Sequence, residues 1–217
     1  MALPRGTVVA RAEGRSAELD ATEMSDFFKP PPPKARLEEL PQAAWMGPPR
    51  SGVPIVLPVE RVILRTEEIG LYLSCFWVYS TGFEFEVFVV TKDEWSDLDP
   101  FSFDHHYKAE QSGEIPPEKL RLGFEFADGS TVTNTGDFDW DWEPGPTPKS
   151  PRMSGSGGGG GEGSWHYKFW VWPFPPPGSF DFVCEWPAVE MPLTRVELDA
   201  DLLLEAASRS RDLFPSE

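Results

Sequence analysis

Apolar side chains recur at every second position in several stretches of the chain, which is the period of a half-buried β-strand. Ile69 to Tyr79 and Phe83 to Val89 both alternate in this way, and Ser80-Thr81-Gly82 between them has the composition of a turn. The alternation places Glu84 and Glu86 on the outer side of the second stretch. Together the two stretches predict a β-hairpin.

The same period predicts further strands along the chain, which are Val59 to Arg65, Leu120 to Phe126, Thr131 to Thr133, Trp165 to Trp172, Phe180 to Trp186 and Leu193 to Leu198. Asp128-Gly129 lies between two of them and is a strong hairpin signal, because both residues tolerate a positive φ angle. Seven or eight short strands predict a mostly β protein. We expect a two-sheet antiparallel, immunoglobulin-like β-sandwich with long loops and a C-terminal helix, and a small closed barrel is the alternative.

The helix is predicted after Asp199, which is a good N-cap residue. Asp201 suits the positive end of the helix dipole, and Arg209 and Arg211 suit its negative end. The predicted apolar stripe of this helix consists of Leu202, Leu203, Ala206 and Leu213.

Composition divides the chain into two regions. The sequence predicts a disordered, proline-rich N-terminal tail at residues 1–52. It predicts the β-sandwich domain at residues 53–217, in which residues 92–119 and 134–164 are long loops. Four consecutive prolines at 30–33, flanked by basic residues, indicate a polyproline II segment that serves either as a stiff spacer or as a ligand of an aromatic groove. Trp45 is apolar enough that we expect it to contact a neighbouring surface of this chain or of a partner. The glycine run 157–161 is interpreted as a flexible connector.

The formal net charge is −17. Residues 1–50 carry seven basic and seven acidic residues, so the whole excess lies on the predicted domain. Such a surface argues against a nucleic-acid partner and against an anionic membrane. The chain shows no secretory signal and no apolar run long enough to cross a membrane, which predicts a cytoplasmic protein.

Common catalytic signatures are absent, and no cofactor is predicted. The best metal-binding candidate is Asp104-His105-His106, in a stretch that holds further carboxylates; the alternative is a pair of solvated loop histidines. Asp137, Asp139 and Asp141 match the start of a calcium loop, but the glycine and the final glutamate of that motif are missing.

Two cysteines, Cys75 and Cys184, are predicted to point inward from strands far apart in sequence. In a reducing compartment they would remain thiols and pack as small core residues, and a disulfide across the core is the alternative.

A candidate binding surface lies on the strand Trp165 to Trp172. Alternation sends every other residue into the core and leaves His166, Lys168, Trp170 and Trp172 on the opposite face. Two exposed tryptophans would form a flat apolar platform for a protein partner or a sugar, unless another part of the chain covers them.

The C-terminal stretch also resembles the ending of a group of bacterial proteins without an assigned activity. The similarity rests on Trp170-Val171-Trp172-Pro173-Phe174-Pro175-Pro176-Pro177-Gly178, on Cys184-Glu185-Trp186-Pro187 and on Leu193-Thr194-Arg195-Val196-Glu197-Leu198-Asp199. The resemblance implies a bacterial cytoplasmic origin and transfers no mechanism.

These observations favour a non-enzymatic interaction module that binds a protein partner through its exposed aromatic face and acidic loops. One alternative is a carbohydrate or small-ligand binding domain that uses Trp170 and Trp172. A second is a metal-dependent enzyme built around His105, His106 and nearby carboxylates. The sequence leaves the oligomeric state open.

Overall fold

Antiparallel strands account for most of the ordered elements in the computed structural model, which describes residues 42–92, 99–102, 104–136 and 146–214. In chain order the elements are β1 (Gly52–Val53), β2 (Ile55–Arg65), β3 (Ile69–Val78), β4 (Phe83–Thr91), α1 (Asp104–Ser112), β5 (Arg121–Glu125), β6 (Thr131–Thr133), β7 (Arg152–Gly161), β8 (Ser164–Trp172), β9 (Ser179–Trp186), β10 (Met191–Asp199), α2 (Ala200–Arg209) and β11 (Arg211–Asp212), with a 3-10 turn at Pro187–Val189.

The strands form two main sheets. One has five strands in the order β2-β3-β4-β8-β7, and the other has four strands in the order β10-β9-β5-β6. All neighbouring strands are antiparallel, and β1 pairs separately with β11. The prediction of a mostly β, two-sheet antiparallel sandwich with a C-terminal helix is confirmed.

The inward faces of the two sheets share one aromatic core. Strand alternation supplies it as predicted, since every second residue of β4, β5 and β9 is buried. Phe85 from the first sheet and Phe124 and Phe182 from the second have ring centroids 5.0 to 6.0 Å apart. The Asp128-Gly129 hairpin between β5 and β6 is also confirmed, with Gly129 at φ +80°.

A β-bulge in β3 changes which of its residues face the core. The pairing with β4 shifts between Leu73 and Phe76, so that Phe76 and Val78 are buried after the bulge. Because the extra residue reverses the alternation, Cys75 is displaced from the buried positions that the sequence had predicted for it.

The stretch 92–119 is not only a loop, because it contains the helix α1. The hydroxyl of Ser102 accepts a hydrogen bond from the Asp104 amide at the start of α1, and Gly113 at φ +74° follows its last residue. The helix was missed because His105 is its only buried residue, so the sequence shows no apolar stripe.

The stretch 134–164 likewise contains β7, and the glycine run is a strand rather than a connector. Gly158 and Gly160 lie beneath the rings of Tyr167 and Trp165, and a Cβ atom on either glycine would clash with those rings. The aromatic side chains of β8 therefore occupy the space that side chains on β7 would need.

The predicted N-cap of α2 is confirmed, since the Asp199 carboxylate accepts a hydrogen bond from the Asp201 amide at 2.9 Å. The predicted stripe was partly wrong: Leu203 is buried, whereas Leu202 and Leu213 are exposed. The buried residues Ala200, Leu203 and Ala206 follow a three-residue spacing that places Leu202 on the solvent side.

Candidate functional site

The outer face of the five-stranded sheet holds the four residues that the sequence singled out for binding. On β8, Phe169 and Val171 enter the core, as alternation requires. His166, Lys168 and Trp170 pair with residues of β4 that also avoid the core. The structure therefore brings these residues to one face, but it gives them different environments.

A row of stacked rings crosses three strands on this face. Tyr72, Phe88 and His166 are direct cross-strand neighbours on β3, β4 and β8. The Tyr72 and Phe88 rings are 4.8 Å apart with planes 2° from parallel, and the Phe88 and His166 rings are 5.9 Å apart with planes at 18°. We call these three residues the aromatic row.

A carboxylate fixes the exposed end of the aromatic row. Nδ1 of His166 lies 2.6 Å from Oε1 of Glu86, which precedes Phe88 by two residues on the same face of β4. The His166 side chain is 50% exposed, whereas that of Glu86 is 12% exposed. The contact orients the imidazole ring, so that one edge of it remains open to solvent.

Lys168 lies over an aromatic ring and does not extend freely into solvent. Its Nζ atom is 4.3 Å from the centroid of Trp77 on β3. A contact of this kind is worth about 0.5–2 kcal/mol, depending on how far the ammonium is desolvated. Lys168 and Trp77 are both partly buried and lie beside the aromatic row.

The prediction that Trp170 is exposed was wrong. Its side chain is 1% exposed, and its Nε1 atom donates a hydrogen bond to the carbonyl of Ala44 at 3.1 Å. A turn at residues 42–47 covers it, and Arg152 lies 5.5 Å above the ring of Trp45 in the same turn. Alternation identified the correct face, but it cannot show which distant segment packs on that face.

Tyr79 and Glu84 complete the surroundings of Trp170. The rings of Tyr79 and Trp170 meet edge to face at 5.7 Å, and the Tyr79 hydroxyl donates a hydrogen bond to Glu84 at 3.2 Å. Burial, reinforced by the charge of Glu84, raises the pKa of Tyr79 to about 12. Glu84 points outward as predicted, yet it is buried. Trp172 is partly buried, so the structure shows no platform of two exposed tryptophans.

Bare backbone adjoins the open end of the aromatic row. Gly159 and Gly157 of β7 pair with His166 and Lys168. A Cβ atom on Gly157 would meet nothing within 4 Å, and one on Gly159 would meet only Nε2 of His166 at 3.5 Å. Packing within the sheet does not require glycine at these two positions. Sequence reasoning missed this part of the surface, because the glycine run was interpreted as a connector.

The three candidate metal ligands lie on α1. His106 contacts Glu110 at 3.1 Å, Asp104 is exposed, and His105 is buried with no hydrogen-bond partner for its Nδ1 atom. Burial, followed by the charge of Lys108, lowers the pKa of His105 below its ordinary value near 6.5. Within the described part of the chain, no three His, Cys, Asp or Glu side chains are placed to hold a metal ion. The calcium-loop match at 137–141 lies outside the described residues.

Both cysteines are free thiols. Cys184 lies in the core, as predicted, and burial raises its pKa to about 12. Cys75 is partly buried because of the bulge in β3, and its Sγ atom lies 3.7 Å from the hydroxyl of Ser74. The predicted thiols are therefore observed, and the alternative disulfide is not formed.

A separate groove of about 540 Å³ lies among β2, β10 and the beginning of α2. Leu57, Phe76 and Leu203 contribute apolar surface to it, while Glu197 and Asp201 contribute carboxylates. The lining includes none of the residues of the aromatic row.

No protein-family model, no curated protein and no solved structure matches this chain. Neither described helix has the length and apolar character needed to span a bilayer.

Proposed function

We propose that the chain is a non-enzymatic interaction module that binds a protein partner through the outer face of the five-stranded sheet. The observation that carries this proposal is the aromatic row, whose rings are held in fixed stacked positions and end at the half-exposed His166. Rigid aromatic side chains make favourable contact surfaces, because little conformational entropy is lost when a partner covers them.

The exposed glycine backbone supports the same proposal. A partner can approach β7 closely at Gly157 and Gly159, because no side chain stands between it and the peptide groups. The aromatic rings and the bare backbone beside them offer apolar contact to a partner at one place. The acidic loops that we expected to contribute lie partly outside the described residues, and their part in binding stays a prediction. The cytoplasmic location and the kinship with the bacterial group also stay predictions.

The experiment compares partner capture by the full-length protein and by a variant of the aromatic row. Tyr72→Ala combined with Phe88→Ala removes two rings from the outer face and leaves the core between the sheets intact. The partner is identified by affinity capture and mass spectrometry, and its dissociation constant is then measured with purified proteins. We expect the double variant to weaken binding by about tenfold or more, which corresponds to at least ~1.4 kcal/mol.

The matched control is Leu193→Ala combined with Leu202→Ala. These residues are 57% and 55% exposed and lie on β10 and α2, away from the aromatic row. The control should bind like the unmodified protein. Equal binding by all three proteins would exclude the outer face as the contact surface, and no captured partner would contradict the proposal as a whole.

The groove among β2, β10 and α2 favours a second candidate function, the binding of a small ligand. Its apolar lining and the carboxylates Glu197 and Asp201 suit a compound with an apolar body and a cationic group. Ligand-observed NMR with small amphiphilic amines tests this candidate, and Leu202→Trp, at an exposed residue of the lining, should fill the groove and abolish any binding signal. A signal that persists in this variant would place the ligand elsewhere.

Carbohydrate binding and metal-dependent catalysis each require a separate test. A glycan array tests carbohydrate binding, for which the buried Trp170 offers no open ring face. Metal analysis of the purified protein tests the metal-dependent enzyme, which requires a stoichiometric metal ion.

A further inference from the structure

β7 lies at the edge of the five-stranded sheet. One of its sides pairs with β8, and no strand of the described chain pairs with the other side. All its residues from Gly155 to Gly161 are exposed. The strand therefore presents unpaired backbone groups to solvent along most of its length.

This edge lacks most of the features that usually prevent edge-to-edge pairing. Natural edge strands carry lysine, other charged residues or proline, or they are interrupted by bulges. Residues 153–161 contain no charged residue and no proline. One bulge occurs between Gly155 and Gly157, and the five residues after it are in regular register with β8.

The turn between β7 and β8 identifies the backbone groups that face outward. Glu162 and Gly163, at φ +52° and +78°, form a two-residue hairpin loop closed by the pair Gly161 and Ser164. The closing pair of such a hairpin is hydrogen-bonded, and hydrogen-bonded and non-bonded pairs then alternate along the ladder. The amide and carbonyl groups of Gly158 and Gly160 therefore point away from β8.

We propose that the free edge of β7 pairs antiparallel with the β7 edge of a second copy of this chain, which joins two five-stranded sheets into one continuous sheet. An antiparallel pair of identical strands is self-complementary, because each copy offers the amide and carbonyl groups that the other lacks. With five consecutive glycines, no side chain on either copy obstructs the approach. The interface uses the strand edge and is independent of the aromatic row.

The net charge of −17 determines how this association responds to salt. Two copies of the same charge repel each other, and dissolved ions screen that repulsion. Hydrogen bonds between strand edges are not weakened in the same way. The dimer therefore forms more readily as the sodium chloride concentration rises, which is the opposite of an interface held by ion pairs.

Sedimentation velocity of the full-length protein, from micromolar to near-millimolar concentration and at low and high salt, tests the proposal. The unmodified protein should shift from monomer to dimer as its concentration rises. Gly157→Lys combined with Gly159→Lys should abolish the dimer, because it places charges on the edge while the added side chains find open space in the monomer.

The matched control is Leu193→Lys combined with Leu202→Lys. Both residues are exposed and lie on β10 and α2, away from the edge. Each double variant changes the net charge from −17 to −15, so a difference between them cannot arise from charge alone. The control should dimerise at least as well as the unmodified protein. A monomer at every concentration, or equal dimerisation by both variants, would overturn the proposal.

A measurement on the unmodified protein avoids any effect of the substitutions on folding. Hydrogen exchange by NMR follows the amides of Gly158 and Gly160 at low and high protein concentration. Their exchange should slow when the dimer forms, while the amide of Glu162, an exposed residue of the hairpin loop, serves as an internal reference. Unchanged exchange at Gly158 and Gly160 in a sample that has dimerised would place the interface elsewhere.

Discussion

At the scale of single residues, Phe124 packs its ring against both sheets of the sandwich. The alternation of apolar residues along its strand does not reveal this contact. Its ring lies 5.0 Å from that of Phe85 and 5.6 Å from that of Phe83 in the first sheet, and 5.5 Å from that of Phe182 in its own sheet. The side chain is 1% exposed.

We expect Phe124→Ala to lower the free energy of unfolding by about 3–5 kcal/mol, because it removes a buried aromatic ring and leaves a cavity. Urea denaturation followed by circular dichroism measures the change. Phe124→Leu refills part of the space and should cost clearly less than the alanine variant. A loss under about 1 kcal/mol for Phe124→Ala would mean that the core closes around the missing ring.

The thiol of Cys184 makes stability depend on pH in the alkaline range. Burial raises its pKa from an ordinary value near 9 to about 12. Between these values the unfolded chain loses the proton while the folded chain keeps it, so the folded state binds more protons and stability falls as the pH rises. The decrease amounts to at most about 1.4 kcal/mol for each pH unit in this window.

The corresponding experiment measures the free energy of unfolding at several pH values from 8 upward. Cys184→Ala should reduce the alkaline slope, whereas Val132→Ala, which changes the core at a residue without a titrating group, should leave it unchanged. Part of the slope should survive in the Cys184 variant, because burial also raises the pKa of Tyr79 to about 12. A slope that is identical in the two variants would contradict the assignment to Cys184.

At the scale of elements, the turn at residues 42–47 is held to the sheet by the hydrogen bond from Trp170 to Ala44 and by the contact of Arg152 with the Trp45 ring. We expect Trp170→Phe to loosen this turn, because phenylalanine retains the apolar bulk but cannot donate to the Ala44 carbonyl. Cleavage by trypsin after Arg50 should become faster, with a loss of about 1 kcal/mol in overall stability.

Trp186→Phe is the control for this prediction. It removes a similar hydrogen bond, from Nε1 to the carbonyl of Glu118 at 2.9 Å, in the other sheet. Its stability should fall by a similar amount without a specific increase in cleavage after Arg50. Equal cleavage rates in the two variants would show that the Trp170 bond does not hold the turn.

The elements that the sequence predicted correctly are those with a local signal. In β4, β5 and β9 every second residue is buried without interruption, and the Asp128-Gly129 turn requires a positive φ angle at Gly129, which glycine adopts readily. The bulge in β3 was not predictable, because it depends on how the strand fits its neighbour and the opposite sheet. The sequence also could not show that the glycine run forms a strand, because the rings that pack on these glycines belong to another strand, β8.

The candidate site could be predicted only in part. Alternation along β8 placed His166 and Lys168 on the correct face, since it depends on local geometry alone. Their contacts with Glu86 and Trp77 come from strands more than 70 residues earlier, and no sequence pattern marks those pairings. The turn at residues 42–47 that covers Trp170 is also distant in sequence, which is why the burial of Trp170 was not predicted.

At the scale of the whole molecule, the excess of negative charge is the dominant feature. The chain carries 36 acidic and 19 basic residues. The described ion pairs compensate only locally, as where Arg195 contacts both Glu125 and Asp181. Like charges repel more strongly in the compact state than in the expanded unfolded chain.

We therefore expect the free energy of unfolding in urea to increase when sodium chloride is raised from low to moderate concentration, because salt screens this repulsion. Equilibrium denaturation at several salt concentrations measures the effect. The protein concentration is kept low, so that self-association cannot contribute. A decrease in stability with salt would indicate that attractive ion pairs dominate.

The glycine run of β7 also makes one strand tolerant of changes in its length. Loss or gain of one residue in a strand normally moves every following side chain to the other face of the sheet. Within Gly157–Gly161 there is no side chain to move, and the positions of Gly158 and Gly160 beneath Tyr167 and Trp165 would still be glycine after such a change. Natural variants that differ by one glycine codon in this run should therefore retain the fold, whereas a single-codon deletion in β4 would turn buried side chains of that strand to the outer face.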